Sequence, residues 1–259
     1  MINQLQIYTD SQKKKLKPVI FVGHSLGGAV ATLATLWVLE KRVRQSSPFC
    51  ITFGCPLVGN ERLVEAVGRE NWGGNFLHVV SQHDIVPRML LAPLESITEP
   101  LTAILPYWHD KVADSSLRDA CKTLLKKVLQ YTDTVANYGL HSSRGSDGVI
   151  KRSPYKPFGT YMFCSSHGAA CIDNSDVVLK MFHLTMKSHE KPLDNIVEQC
   201  FLEHIGYDKV LNHVIETSKR GIRFANSDSE FSYDMGISLQ LEATGVGAQV
   251  ILNSFLKIR

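Results

Sequence analysis

The sequence lacks three features that would point to particular classes of protein. It has no apolar run near the roughly 20 residues that span a bilayer. It has no CxxC pair, which argues against a zinc or thioredoxin-like site. Its net charge of +3 is too small to indicate nucleic-acid binding. We therefore expect no transmembrane segment, no metal and no nucleic-acid partner.

A signal peptide is also not recognisable at the N-terminus. Several of the six cysteines lie in strand-like apolar runs, such as Phe49-Cys50-Ile51. In such runs a cysteine behaves as a small buried hydrophobic residue. Both observations favour a reducing intracellular compartment.

What is present begins with an alternation of predicted strands and helices. Apolar, β-branched runs predict strands at Pro18–Val22, Phe49–Phe53 and Asn75–Val80. A helix from Leu26 to about Arg44 and a short helix from Asn60 separate them. This alternation predicts an α/β fold with a parallel sheet covered by helices.

The second half is less regular. After Arg88, a loop rich in leucine and proline precedes a long helix at about 111–137, which we interpret as structural rather than as a lid. A hairpin follows, with strands at 160–164 and 169–172. Further helices are predicted from a cap at Asn174 or Ser175 to Met186, at 194–203, at 206–219 and from Asp228.

The motif Gly23-His24-Ser25-Leu26-Gly27 has the G-x-S-x-G pattern of a nucleophile elbow. An apolar strand precedes it and an alanine-rich helix follows, which is the context that this turn requires. Serine needs such exposure and a nearby base to act as a nucleophile. We expect Gly23 and Gly27 to leave space for the turn, and the Leu26 N–H to face a developing oxyanion.

In this fold a catalytic acid follows a later strand, and a histidine comes after the acid. Asp84 follows the third predicted strand and is the candidate acid, with an ion pair to Arg88 as the alternative. His204 lies at a break between helices and is the leading candidate base. We exclude His24 as the variable elbow position, His78 as a core residue and His83 as too near Asp84. The downstream histidines that stay open are His109, His141, His167, His183, His189 and His213.

Three segments in order, 23–29, 52–60 and 83–88, resemble the class 3 lipases. The segments 71–76, 155–160 and 173–175 resemble more narrowly the plant immunity lipase-like proteins. These are the enhanced-disease-susceptibility, phytoalexin-deficient and senescence-associated carboxylesterase group. The resemblance implies an α/β-hydrolase fold with Ser25, Asp84 and His204 as the catalytic triad.

The resemblance also implies that no cofactor is needed. It implies a role in plant defence, a location in cytoplasm and nucleus, and a heterodimer with a lipase-like family partner. Family members carry a long segment before the elbow, so we expect N-terminal strands to be missing and a sheet edge to be exposed. We predict a partial lipase-like domain at 1–245. Residues 246–259 are predicted to begin a helical C-terminal domain or to form an unrelated tail.

Three functions stay open from the sequence. The first is an acyl-ester hydrolase acting on a lipid through an acyl-serine intermediate. We expect weak or no esterase activity from this chain, because the segment before the elbow usually supplies the second oxyanion donor. The second is a signalling scaffold that uses the lipase-like fold without catalysis, because a fold does not guarantee an activity. The third is a protein that binds lipid without turnover.

Overall fold

The computed structural model describes residues 19–41, 47–104, 115–138, 153–165, 168–187, 193–217 and 223–225. In these ranges one sheet has its strands side by side in chain order. The first four strands are parallel, the fifth is antiparallel to the fourth, and the sixth is parallel to the fifth. The strands are β1 (Ile20–His24), β2 (Phe49–Phe53), β3 (Phe76–Ser81), β4 (Thr160–Ser165), β5 (Gly168–Ile172) and β6 (Arg223–Ala225).

Seven α-helices lie in the described ranges, and two of them begin at asparagine caps. The Asn60 side chain accepts a hydrogen bond from Leu63 N–H, and that of Asn174 accepts from the N–H groups of Asp176 and Val177. The helices are α1 (Leu26–Lys41), α2 (Glu61–Arg69), α3 (Leu94–Ile104), α4 (Ser115–Tyr138), α5 (Ser175–Lys187), α6 (Leu193–Ile205) and α7 (Tyr207–Thr217). A 3₁₀ helix spans Val86–Leu91.

The sheet is covered on both faces. On one face, Cys50 and Phe76 pack with residues of α1 and α2, and Phe163 packs with Phe182 of α5. On the other face, Val79 packs with Tyr207 of α7. A separate apolar cluster joins α3, α4 and α6 beside the sheet. The predicted α/β-hydrolase architecture is confirmed.

One predicted loop is wrong. Residues 94–104 form α3, although Pro100 lies inside it. Ile97 and Ile104 are fully buried at helical spacing, and their burial outweighs the cost of the proline. The predicted hairpin and the long helix are confirmed as β4–β5 and α4. The predicted helix from 228 and the boundary at 245–246 lie outside the described residues.

β1 lies at an edge of the described sheet, as expected. Its Ile20 and Val22 side chains are 55% and 61% exposed. Leu26, Val30 and Leu33 of α1 are also more than half exposed. The edge and the outer side of α1 therefore present an apolar surface. In the described part of the chain, no helix has the length and apolarity needed to cross a membrane.

Candidate active site

Ser25 stands between the last residue of β1 and the first residue of α1. Its φ is 56°, in the left-handed region that side chains rarely adopt. Its N–H donates to the Phe53 carbonyl at 2.9 Å, which ties the turn to the end of β2. The predicted strand–turn–helix is therefore observed with the strained serine that an elbow requires.

The glycines of the motif do not contribute equally. A Cβ on Gly23 would lie 2.2 Å from the Gly27 carbonyl oxygen, so only glycine fits there. A Cβ on Gly27 would meet nothing within 4 Å, so the predicted steric need for Gly27 is wrong. Gly28, just after the motif, is a second crowded position, where a Cβ would lie 2.8 Å from that of Cys55. Its closeness to β2 comes from helix packing, which the motif does not encode.

Leu26 is the first residue of α1, and its side chain is exposed. The first N–H groups of a helix have no acceptor within the helix, and they carry the positive end of its dipole. The Leu26 N–H is one of these groups and directly follows Ser25 in the chain. Its role as an oxyanion donor stays a prediction.

Asp84 and His204 are brought together across 120 residues of sequence. Nδ1 of His204 lies 3.0 Å and 2.9 Å from the two carboxylate oxygens of Asp84, and both side chains are buried. The carboxylate also accepts from the Val86 N–H at 2.9 Å and from the Tyr207 hydroxyl at 2.6 Å. A carboxylate in this position fixes the imidazole tautomer and orientation.

Arg88 does not pair with the Asp84 carboxylate, so the alternative ion pair is not observed. Its guanidinium instead donates to main-chain oxygens of Ser81, Gln82 and Asp84. It also donates to the Phe182 carbonyl and the Thr185 hydroxyl of α5. The fully buried Arg88 thus holds the turn that carries Asp84 against α5, a role that the sequence did not indicate.

His204 lies in the last turn of α6 rather than on a loop, which corrects the expectation. The break is two residues further on, at Gly206 between α6 and α7. His24, the variable position of the elbow, reaches this turn: its Nε2 donates to the His204 carbonyl at 2.7 Å. The variable position of the elbow therefore contacts the candidate base directly.

Gly54 leaves room for this arrangement at the end of β2. Its φ is +57°, and an added Cβ would lie 2.4 Å from Asp84 Oδ2 and 2.9 Å from His204 Nδ1. Any side chain here would displace the pair. Gly54 belongs to one of the segments that resemble class 3 lipases, but only the tertiary structure shows its function.

The other histidines have different surroundings. His78 is a core residue, as predicted: it hydrogen-bonds Thr52 Oγ1 at 2.8 Å, and burial lowers its pKa to about 4. His183 lies buried on α5. His109, His141, His167 and His189, and the side chain of His213, lie outside the described part. In that part no cluster of histidine, cysteine or carboxylate side chains could hold a metal.

The six cysteines are free and buried, and they include those that were predicted to be small buried hydrophobic residues in strand-like runs. Two of them, Cys121 and Cys200, border an apolar cavity that His204 also borders. The cavity has a volume of about 20 Å³, which is room for about one water molecule. An acyl chain would enter this space only if α3, α4 and α6 moved apart.

Residues 3–93 match the family Lipase (class 3). Protein EDS1 of Arabidopsis thaliana is 32% identical over 239 residues, which cover 86% of this chain and 38% of that protein. Lipase-like PAD4 of the same plant is 31% identical over 237 residues, which cover 88% of this chain and 30% of that protein. Senescence-associated carboxylesterase 101, also from A. thaliana, is 48% identical over 69 residues, which cover 26% of this chain and 13% of that protein.

The chain thus spans well under half the length of these relatives. Among solved structures, the lipase from Rhizopus microsporus var. chinensis is 34% identical and matches 36% of this chain and 30% of that chain, with a TM-score of 0.29.

Proposed function

We propose that this chain, which belongs to the plant immunity lipase-like family of class 3 lipases, is a serine acyl-ester hydrolase. The observation that carries the proposal is the buried Asp84–His204 pair beside the strained elbow at Ser25. Acyl transfer by serine needs a nucleophile, a base and a group that orients the base. The three residues are of the required types and in the chain order of α/β-hydrolases.

The reaction proceeds in two acyl transfers. Ser25 Oγ attacks the ester carbonyl while Nε2 of His204 takes its proton, and the Leu26 N–H binds the oxyanion. The C–O bond to the alcohol breaks, and His204 returns the proton to the leaving oxygen. Water then repeats these steps on the acyl-serine and releases the acid. Asp84 keeps the Nδ1–H of His204 in place throughout.

In the cell, we propose that the chain acts in plant defence signalling as one subunit of a heterodimer with a lipase-like family member. Its similarity to EDS1, PAD4 and senescence-associated carboxylesterase 101 supports this proposal. The proposed location is the cytoplasm and the nucleus. The acyl-ester substrate is proposed to be a lipid.

A non-catalytic scaffold is the second candidate, and a specific observation favours it. The apolar side chains of β1 and of the outer side of α1 are exposed and form a surface that a partner could cover. The same fold could therefore hold a partner while its triad residues serve only to connect β3 with α6.

A fluorophosphonate probe separates the two candidates. We expect labelling of the 259-residue chain at Ser25, none in Ser25→Ala, and labelling slowed by about 10³–10⁴-fold in Asp84→Asn. Circular dichroism of each variant serves as the control for folding. A folded chain that stays unlabelled at high probe concentration would exclude the hydrolase.

Co-purification tests the heterodimer. The tagged chain and a full-length family member are expressed together, and we expect a one-to-one complex with wild type and with Ser25→Ala. The unchanged complex in Ser25→Ala would show that pairing does not need catalysis. Elution of two separate monomers would contradict the heterodimer.

A further inference from the structure

The carboxylate of Glu203, the residue before His204, is bound at the end of β3. Its Oε2 accepts hydrogen bonds from the Ser81 hydroxyl at 2.5 Å and from the His83 N–H at 2.7 Å. Its Oε1 accepts from His83 Nδ1 and, at 3.0 Å, from the Gln199 amide. Its side chain is only 14% exposed. A largely buried carboxylate with four donors is a specific contact rather than a solvated surface charge.

Ser81 connects this carboxylate to Asp84 by a second route. Its hydroxyl donates to Glu203, and its N–H donates to the Tyr207 oxygen at 3.0 Å. The Tyr207 hydroxyl in turn donates to Asp84 Oδ2, which faces His204 Nδ1. These hydrogen bonds, with the peptide link between Glu203 and His204, form a closed ring. We call it the Ser81 ring, and its members are Ser81, Tyr207, Asp84, His204 and Glu203.

The need for such a ring follows from the position of His204. The last turn of a helix lacks part of its internal hydrogen bonding and frays readily. A helix turns by about 100° and rises by about 1.5 Å per residue. Unwinding of the end of α6 would therefore carry the His204 imidazole away from Asp84. Glu203 lies in this turn and is tied to a strand in the middle of the sheet.

We propose that Glu203 is a positioning residue for His204: its bonds to Ser81 and His83 hold the last turn of α6 so that the imidazole stays on Asp84. This inference rests on the proposed hydrolase function for its effect on catalysis. The holding of the turn does not depend on catalysis and is measured separately.

The charges around Glu203 agree with this role. Burial alone would raise its pKa, but the hydrogen bond and charge of His83, with the Ser81 hydroxyl, outweigh burial and lower the pKa to about 2. Burial, followed by the Asp84 charge, raises the pKa of Tyr207 well above its ordinary value, so the phenol stays protonated and donates. Arg88 and the Cys200 thiol also interact electrostatically with Glu203.

The test compares Glu203→Ala with Glu198→Gln, a control that changes an exposed carboxylate on the same helix. Hydrogen exchange followed by mass spectrometry should show faster exchange at 201–206 in Glu203→Ala alone. The maximal rate of fluorophosphonate labelling should fall about 10- to 100-fold, with the half-saturating probe concentration unchanged. Glu203→Gln keeps an acceptor for Ser81 and His83 and should recover most of that rate.

The outcomes separate the two proposals. If wild type is not labelled, the hydrolase fails, and exchange at 201–206 alone decides whether Glu203 holds the turn. Unchanged exchange there in Glu203→Ala overturns the positioning role. The positioning role is also overturned if Glu203→Ala lowers the melting temperature but leaves the labelling rate unchanged at temperatures well below it. That result would show a purely structural contact. If Glu203→Ala does not fold, Ser81→Ala removes one bond of the same ring and is read in the same way.

Discussion

The imidazole rings of His24 and His204 are in tilted contact, with centroids 4.5 Å apart, where the elbow meets α6. Nε2 of His24 must carry the proton, since the His204 carbonyl can only accept. The contact joins the residue before Ser25 to the residue that Asp84 orients. It therefore couples the position of the nucleophile to that of the base.

We predict that His24→Ala slows fluorophosphonate labelling of Ser25 about tenfold. Loss of one hydrogen bond of about 1 kcal/mol loosens the last turn of α6, so the distance between Ser25 and the His204 imidazole is less well fixed. His24→Gln keeps a donor and should lose less. Equal rates for wild type and His24→Ala would show that the contact has no catalytic effect.

Gly54→Ala should slow the labelling of Ser25 by at least about 100-fold while the chain remains folded. Its Cβ would occupy the space of Asp84 Oδ2, and its positive φ adds roughly 1–2 kcal/mol of strain. The control is Gly68→Ala in α2, where a Cβ meets nothing within 4 Å. The control should label normally and gain about 0.5–1 kcal/mol of stability. Normal labelling of Gly54→Ala would contradict this prediction, because it would mean that Asp84 and His204 can move without a loss of labelling rate.

Glu203→Gln should lower the free energy of unfolding by about 1–3 kcal/mol near neutral pH. The pKa of Glu203 is lowered in the fold from 4.5 to about 2, so its ionised form stabilises the protein above pH 4.5. This contribution is lost as pH falls from 4.5 towards 2. Urea unfolding of both proteins at several pH values should show the difference shrinking over that window. A difference that does not depend on pH would contradict the lowered pKa.

Arg88→Lys should destabilise the chain by about 3 kcal/mol or more. Lysine has three donors on one atom and cannot reach the five acceptors that the guanidinium serves across two elements. Arg69→Lys is the control, because the Arg69 side chain is 70% exposed. Its effect on the urea midpoint should be within about 0.5 kcal/mol. A similarly small effect at Arg88 would show that the buried network is not needed.

The sequence alone determined the local parts of this protein. The elbow was predictable because its strand, strained serine and helix are adjacent in the chain. The helix starts at Asn60 and at Asn174 or Ser175 were predictable because a cap acts on the next few residues. The helix at Leu94–Ile104 was missed because Pro100 suggests a loop when burial is not considered.

Tertiary structure decided the relations between distant residues. His204 and Asp84 are separated by 120 positions, and spacing could rank His204 but could not show the contact. The roles of His24, Arg88, Glu203 and Gly54 depend on where α6 meets the ends of β1, β2 and β3. No local pattern encodes that meeting, because it results from packing of apolar surfaces that lie far apart in the chain.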